Sequence, residues 1–354
     1  MAASEASPEW PSVSVIMPVA NEERHLAAAV MRILEQQYEG ALDIAIAVGP
    51  SRDATRSVAD GLAAGDSRVR VVANPTGRTP SGLNAAIAAT SGEIVVRVDG
   101  HAMIPEDYVR TAVQALRETG ADNVGGIMAA EGVTPFECAV ARAMTSRFGV
   151  GGAAFHVGGD AGPALTVYLG AFPRSALTRV GGYDESMVRA QDWELNLRIR
   201  ESGGLIWFTP DMRVTYRPRP SIGALARQYH DYGRWRREVV NRYPGTLSLR
   251  YLAPPLALAA FALGVALGTV GLAASLAWLA IVGFALPLGY AVLIVLASLL
   301  ARGSPTPLST KSSAWLPVVF ATMHGAWGAG FWRGARASKA DPSRRTSADG
   351  ADLT

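Results

Sequence analysis

Charge is scarce in this chain and cysteine almost absent. Charged residues make up 18% of the sequence against 49% hydrophobic, and Cys138 is the one cysteine. A lone cysteine excludes an internal disulfide and fits a reducing compartment. The first eleven residues, Met1 to Pro11, are polar and acidic and hold no apolar run. No signal peptide is therefore expected, and the soluble part is expected to stay in the cytoplasm. No internal repeat is visible. Between residues 252 and 300 charge is missing altogether. An apolar excess of this kind points to membrane segments rather than to a larger soluble core. The net charge of +3 is too mild to argue for anything by itself, and nucleic acid is not an expected partner. Arginine is instead concentrated in 213–250 and 333–345.

What is present begins with short apolar runs alternating with helical periodicity. Residues 13–19 (VSVIMPV), 42–48 (LDIAIAV), 69–73 (VRVVA), 93–98 (EIVVRV) and 122–129 read as strands. Helices are expected over 22–37, with Leu26, Val30, Ile33 and Leu34 on one face, and over 53–64, 80–90 and 105–118. This alternation predicts an α/β fold with a parallel sheet and helices on both faces. Ligands bind such sheets beyond the carboxyl ends of the strands, here Pro18–Glu22, Val48–Asp53, Asn74–Arg78 and Asp99–His101. Further on, 135–148 reads as a helix, 149–163 as a mobile loop, 166–172 as a strand and 189–202 as a helix. Strands follow at 204–208 and 212–216, then a basic, aromatic helix at 221–242.

From Leu252 the pattern changes. Residues 252–274 and 276–300 are each long enough to cross a hydrocarbon core of about 30 Å. Being nearly contiguous, they should form a helical hairpin with a very tight turn. A third uncharged segment, 314–332, holds His324, several glycines and three tryptophans; a re-entrant or interfacial course is favoured for it, with a full span as the alternative. Arg250 precedes the hairpin while Arg302 and Lys311 follow it, which marks that side as cytoplasmic. The expected organisation is a disordered 1–12, a catalytic α/β domain over 13–217, a basic amphipathic interface helix over 218–250, a membrane region over 251–332 and a disordered tail over 333–354.

Several residues can carry chemistry, each with a plainer alternative. Asp99 ends a strand in R-V-D-G-H, where a carboxylate can bind a divalent ion, with His101 as second ligand; Asp-Gly is also a common turn pair. Asp192 and Glu194 open a helix, and positions i and i+2 diverge, so one can face a site while the other caps or pairs. An ordinary acidic helix start explains them too. Arg234 and Trp235 can grip diphosphate oxygens and stack on a sugar or base; a juxtamembrane basic helix drawn to anionic lipid is the other reading. Asp53 either contacts a nucleotide or caps the helix that follows it.

Taken in order, these segments resemble the family 2 inverting glycosyltransferases, whose fold is the GT-A (nucleotide-diphospho-sugar transferase, Rossmann-like) domain. The segment Val15-Ile16-Met17-Pro18-Val19-Ala20-Asn21-Glu22-Glu23 resembles the family's opening strand. Ser51-Arg52-Asp53-Ala54-Thr55, Asn74-Pro75 through Gly82-Leu83-Asn84, and Ser91-Gly92-Glu93 continue the match. Asp99-Gly100-His101 stands where the family has D-x-D. Gly170 to Arg174, Gly181-Gly182-Tyr183-Asp184-Glu185, and Gln191-Asp192 with Leu195 and Arg198 complete it. Within the family the chain is most similar to succinoglycan-type exopolysaccharide transferases, through V-D-x-H, Tyr232-Gly233-Arg234 and the segment around His324.

The resemblance implies roles. Asp192 would be the general base, and Asp99 with His101 would hold Mg²⁺ or Mn²⁺ on the donor diphosphate. Pro18, Asn21, Glu22, Asp53, Asn84 and Asp99 would line the nucleotide sugar. Gly170, Arg234 and Trp235 would serve the acceptor or diphosphate. The implied partners are a nucleotide-diphosphate sugar, a lipid-linked (polyprenyl-type) or polysaccharide acceptor, and a bacterial plasma membrane, crossed more than once. Three departures stand out. Val48-Gly49-Pro50 replaces the usual acidic pair, Gln191 replaces the usual glutamate, and Gln228 lies too far from Arg234-Trp235 for Q-x-x-R-W. The last weakens a processive synthase, which would also need more membrane helices. The first two motivate a non-catalytic scaffold as a competing reading.

Overall fold

The computed structural model describes residues 10–303 and 306–334. In chain order its elements are β1 (Val13–Val19), α1 (Leu26–Leu34), β2 (Leu42–Val48), α2 (Thr55–Gly65), β3 (Val69–Ala73), α3 (Thr79–Ala88), β4 (Ile94–Arg97), α4 (Tyr108–Thr119), β5 (Asn123–Ala130), α5 (Pro135–Met144), α6 (Arg147–Val150), α7 (Ala154–Val157), β6 (Gly162–Pro163), β7 (Tyr168–Pro173), α8 (Arg174–Val180), α9 (Gln191–Glu201), β8 (Ile206–Tyr216), α10 (Ile222–Arg242), α11 (Leu249–Ala273), α12 (Ala277–Ala301) and α13 (Thr310–Arg333). The expected disordered ends lie largely outside the described residues. Residues 10–12 depart from that expectation. Trp10 packs edge-on against Tyr38 at 5.4 Å, and the Ser12 N–H donates to Glu93 Oε1 at 3.1 Å.

The strands pair in the order β3-β2-β1-β4-β7-β5-β8-β6. The first four are parallel, as the alternation predicts, and their apolar residues fill the main core with Leu26, Val30 and Ile33 of α1. Beyond β4 the all-parallel expectation fails: β7 runs antiparallel to both β4 and β5, and β6 antiparallel to β8. Helix α5 joins Met128 of β5 and Tyr216 of β8 to α12 and α13 through Phe136, Ala139, Val140 and Ala143, and the chain then returns as β7 antiparallel to β5 instead of making a parallel crossover. The two strands expected at 204–208 and 212–216 are one strand, β8, with a register break opposite Gly125–Ile127. Gly126 permits that bulge, because a Cβ there would lie 1.7 Å from the Met212 carbonyl oxygen.

A second apolar cluster joins the sheet domain to the C-terminal helices. It gathers Met144 of α5, Leu225 and Tyr229 of α10, Ile294 and Ala297 of α12, and Leu316, Phe320 and Met323 of α13. Buried Arg142 reinforces the joint by donating to the carbonyls of Ala301 (2.6 Å) and Thr306 (2.5 Å) at the end of α12. Helices α10 and α13 cross at two glycines: a Cβ on Gly233 would meet the Trp327 carbonyl at 2.1 Å, and one on Gly330 the His230 carbonyl at 2.0 Å. Gly233→Leu should therefore separate the two helices. The expected loss is about 3 kcal/mol or more, the upper end of core overpacking, read as a lowered melting temperature of the full chain in detergent.

Helices α11 and α12 are each 25 residues long, apolar enough to cross a membrane, and only 17% buried in their most apolar windows. A helix at the core of a water-soluble fold would be mostly covered, whereas Leu263, Leu272, Ile281 and Leu288 stand exposed. The hairpin thus requires an apolar surrounding, which supports membrane association. Its turn is as tight as expected, three residues between the helices with Ser275 at φ +59°. The helices touch through small residues: Gly264, Gly268, Gly271 and Gly283 all face the partner helix too closely for a Cβ. The third segment, α13, is one uninterrupted helix of 24 residues without the break of a re-entrant course, and it lies packed on α10.

Candidate active site

The loops leaving β1 and β2 are stitched together. Asn21 adopts a left-handed φ of +57°, a conformation asparagine tolerates. Its N–H donates to Ser51 Oγ at 3.1 Å and its Oδ1 accepts from the Arg52 N–H at 2.9 Å. The Glu22 N–H donates to Thr55 Oγ1 at 2.7 Å, and the Glu23 N–H to Asp53 Oδ2 at 3.2 Å. Asp53 also accepts the Thr55 hydroxyl at 2.6 Å, and these bonds hold its carboxyl below the ordinary range. Both Asp53 oxygens are therefore occupied in tying the loops. That work leaves the Glu22 side chain free to turn toward β4.

At the end of β4 sits a residue that sequence reasoning passed over. The Arg97 side chain is 5% exposed, and its guanidinium bridges two carboxylates. Nη2 and Nε donate to Asp99 Oδ1 at 2.9 and 3.1 Å, and Nη1 donates to Asp192 Oδ1 from α9. Asp99 and Asp192, 93 positions apart in sequence, thus share one cleft at the carboxyl edge of the sheet. Their side chains remain 22% and 34% exposed. Desolvation in the cleft raises the Asp192 pKa above the usual carboxylate range; Arg97 opposes the shift and the Asp99 charge adds to it. The signal available in the sequence was the one charge, Arg97, inside the apolar run of 94–98, since a buried cation demands partners.

His101 comes to the same edge because Gly100 packs against Val19, where a Cβ would lie 2.7 Å from Cγ1. His101 Nδ1 meets Glu22 Oε1 at 2.8 Å. That hydrogen bond raises its pKa; desolvation opposes it, and the Asp99 and Glu22 charges assist. With the folded-state value above the ordinary 6.5, the proton stabilises the fold fully below that pH and the gain is lost as pH rises through the raised value. A melting series between about pH 6 and pH 9 should therefore show a decline in the wild type that His101→Gln lacks. Parallel curves would contradict the Glu22 partnership.

The helix α9 resolves the choice between its two acids. Asp192 faces the cleft, while Glu194 is buried, pairing with Arg198 at 2.6 Å and accepting from the Tyr243 hydroxyl at 2.9 Å. Arg198 also donates to the carbonyls of Val180 (2.5 Å) and Gly182 (2.9 Å), so the family-like Arg198 fixes the preceding loop. Asn84 clamps the same loop from the other side, through the Tyr183 carbonyl and N–H, both at 2.9 Å. Just before Asp192, Ala190 holds φ +60°, a strained value for alanine at the mouth of the cleft. Other candidates are accounted for by packing. Pro18 is part of β1, its Cβ 3.3 Å from where a Cβ on Gly82 would stand. Gly170 lies within β7, where a Cβ would meet Asn123 Oδ1 at 2.2 Å. Arg234 donates to the Gly334 carbonyl at 3.2 Å, so Tyr232-Gly233-Arg234 serves helix docking at least as much as any ligand.

Comparison with known proteins gives the family. Residues 14–180 match the profile of glycosyl transferase family 2. The succinoglycan biosynthesis protein ExoA of Rhizobium meliloti is 32% identical over 325 residues, covering 90% of this chain and 93% of that protein. The chain belongs to glycosyl transferase family 2. A dolichyl N-acetyl-alpha-D-glucosaminyl phosphate 3-beta-D-2,3-diacetamido-2,3-dideoxy-beta-D-glucuronosyltransferase of Methanococcus voltae is 22% identical over 237 residues, covering 62% of this chain and 71% of that protein. Among solved structures, a mannosyltransferase of Pyrobaculum calidifontis, in complex with GDP-Man and Mn²⁺, matches 94% of this chain and 91% of its own at a TM-score of 0.56 and 21% identity. That likeness covers the GT-A fold and the helices that follow it.

Two recesses of this glycosyltransferase meet at Arg189, and Asp192 lines the larger. One, of about 600 Å³, is lined by Asp192, Trp193, Trp235 and Arg236 and also by Ala257 of α11, Leu293 of α12 and Met323 of α13. The other, of about 290 Å³, is lined by Arg189, Arg219, Arg227, Gln228, Asp231 and Tyr232. Arg189 borders both. Arg219 lies close enough to His101 for its charge to act on the imidazole. None of Arg97, Arg189, Arg219 or Arg236 was singled out by motif, because each lies outside the short patterns that mark the family.

Proposed function

We propose that this glycosyltransferase moves a sugar from a nucleotide-diphosphate donor to a hydroxyl of a lipid-linked or membrane-proximal saccharide, with inversion at the anomeric carbon. The observation that carries the reading is the larger recess. Asp192, in the cleft it shares with Asp99, and the helices of the apolar hairpin line one cavity. An acceptor anchored in a bilayer can therefore present a hydroxyl to Asp192 without leaving its membrane. Arg250 before the hairpin and Arg302 and Lys311 after it support a catalytic domain facing the cytoplasm at a bacterial plasma membrane.

In the reaction, an Asp192 oxygen accepts the proton of the acceptor hydroxyl as that oxygen bonds to the anomeric carbon. The bond from that carbon to the diphosphate oxygen breaks, and the nucleoside diphosphate leaves. Desolvation makes Asp192 a stronger base than an ordinary surface carboxylate, and Arg97 holds it in position. Asn21, Glu22, Asp53 and Asn84 shape the nucleotide side mainly by fixing loops. Arg189 and Arg219, which line the smaller recess, would supply cations to a diphosphate.

The donor set suits a divalent ion that arrives with its substrate. Asp99 keeps one oxygen outside its Arg97 pair, and His101 keeps Nε2 outside its Glu22 contact. Among the described residues no group of three or more His, Cys, Asp or Glu side chains gathers to hold an ion. Two protein ligands are what a hard cation uses when phosphate oxygens and water complete its shell. Bound there, Mg²⁺ or Mn²⁺ would neutralise charge on the leaving diphosphate. A thermal-shift screen of nucleotide sugars tests this. Mn²⁺ alone should leave the melting temperature nearly unchanged, and donor with Mn²⁺ should raise it by more than the two separate shifts combined. A full shift by Mn²⁺ alone would mean a preformed metal site and contradict the reading.

A further inference from the structure

The larger cavity contains a cation that nothing in the described residues neutralises. Arg236, on α10, is 9% exposed, and its Nη1 is buried without a hydrogen-bond partner. Its guanidinium stacks between two aromatic rings, 4.7 Å from the centroid of Trp193 and 4.0 Å from that of Tyr251. No ion pair joins it to a carboxylate among the described residues, and the next buried acid on its helix, Glu238, is taken by Arg242 at 2.8 Å. Burial opposes its charge and neighbouring Arg250 adds repulsion, with the Tyr251 ring as partial relief. A guanidinium kept charged at such a cost needs an anion. Arg147, Arg189 and Arg250 line the same cavity, and Asp192 is its single acidic residue.

The remaining lining is ordered by chemistry. Asp192, the proposed base, lies next in sequence to Trp193, which stacks on Arg236. Arg250 and Tyr251 open the hairpin helix α11, and Ala257, Leu293, Ile294 and Ala297 carry the lining into the hairpin itself. A hydroxyl acceptor, an anionic linker and an apolar chain are matched in turn. We infer that the cavity seats the phosphate or diphosphate of a lipid-linked acceptor, with Arg236 as its principal anion ligand, Arg250 and Arg147 as supporting cations, and the hairpin residues receiving the lipid chain. This rests on the proposed lipid-linked acceptor and adds the group by which it is held. Trp193 and Tyr251 hold the guanidinium between them, and such a fork can offer a phosphate parallel N–H bonds.

The test is equilibrium binding of farnesyl diphosphate to the full chain in phosphatidylcholine nanodiscs, beside inorganic diphosphate and farnesol. Wild type should bind farnesyl diphosphate well above either comparator, since only it carries both charge and chain. Arg236→Gln should weaken that binding about tenfold or more, the scale of a lost charge-assisted pair. Arg236→Lys should fall between, because lysine keeps the charge and loses the fork. Should Arg236→Gln fail to fold, exposed Arg250→Gln decides the matter with an expected several-fold loss. Binding unchanged in these variants, or inorganic diphosphate binding as tightly as farnesyl diphosphate, would overturn the assignment. Binding is read apart from turnover, with sugar transfer assayed in parallel, so the two claims fail separately. Intact binding with no sugar transfer would sink the proposed function alone; transfer that survives with no Arg236 dependence of binding would sink this site alone.

Discussion

Asp192→Asn lowers sugar transfer by about 10²- to 10⁴-fold, the range over which a positioned general base contributes, and leaves donor binding unchanged. Asparagine keeps the shape and one oxygen for Arg97 but cannot take a proton. The loss should appear in kcat and in the single-turnover rate of the chemical step, with donor KM steady, because Asp192 is reached from α9 while the donor-side loops leave β1, β2 and β4. Stability should fall only modestly, since Asp99 still neutralises Arg97. Turnover within tenfold of wild type would remove Asp192 from the chemistry, and the scaffold reading would return with it.

Arg97→Met is the second large effect, and it should damage fold and rate together. Removing one member of a buried ion cluster typically costs about 3–5 kcal/mol because the partners are left uncompensated. Here the lower end applies, since both carboxylates keep some exposure to water. The kinetic signature separates this from simple unfolding. Arg97 lowers the Asp192 pKa, and Asp99 raises it. Without the arginine, desolvation and the Asp99 charge are left to push it upward unopposed, so the base stays protonated to higher pH. The acid limb of the pH–rate profile should therefore move toward higher pH in Arg97→Met and less so in Arg97→Lys, which restores charge without the two-pronged geometry. An unmoved limb in a folded variant would contradict the bridge.

Much of this was legible in residues and some was not. The parallel half of the sheet could be read because Val13–Val19, Leu42–Val48 and Ile94–Arg97 are apolar runs ended by turn residues. The antiparallel strand β7 could not, because a short apolar run does not state its direction, and the segment leading to it packs partly on α12 and α13 far along the chain. The hairpin was plain from its missing charge. Its packing seam was equally present as Gly264, Gly268 and Gly271 but needed the facing Gly283 to mean anything. At the site, motifs indicated Asp99, His101 and Asp192. They could not indicate Arg97, whose importance lies in joining two of them, nor Arg236, whose neighbours Trp193 and Tyr251 come from separate helices. Arg234 shows the converse. Its motif was conspicuous, yet its Nε donates to the end of α13.

The central claim is one cleft in which Asp99 serves the donor and Asp192 the acceptor. Anomalous scattering at the manganese edge tests it most directly, on crystals of the full chain grown with Mn²⁺ and whichever nucleoside diphosphate raises its melting temperature most. The account predicts a manganese peak at the free oxygen of Asp99, touching the terminal phosphate, with Asp192 open to the space just beyond that phosphate. Manganese bound away from Asp99, or a nucleotide lying where Asp192 cannot face its terminal phosphate, would contradict it.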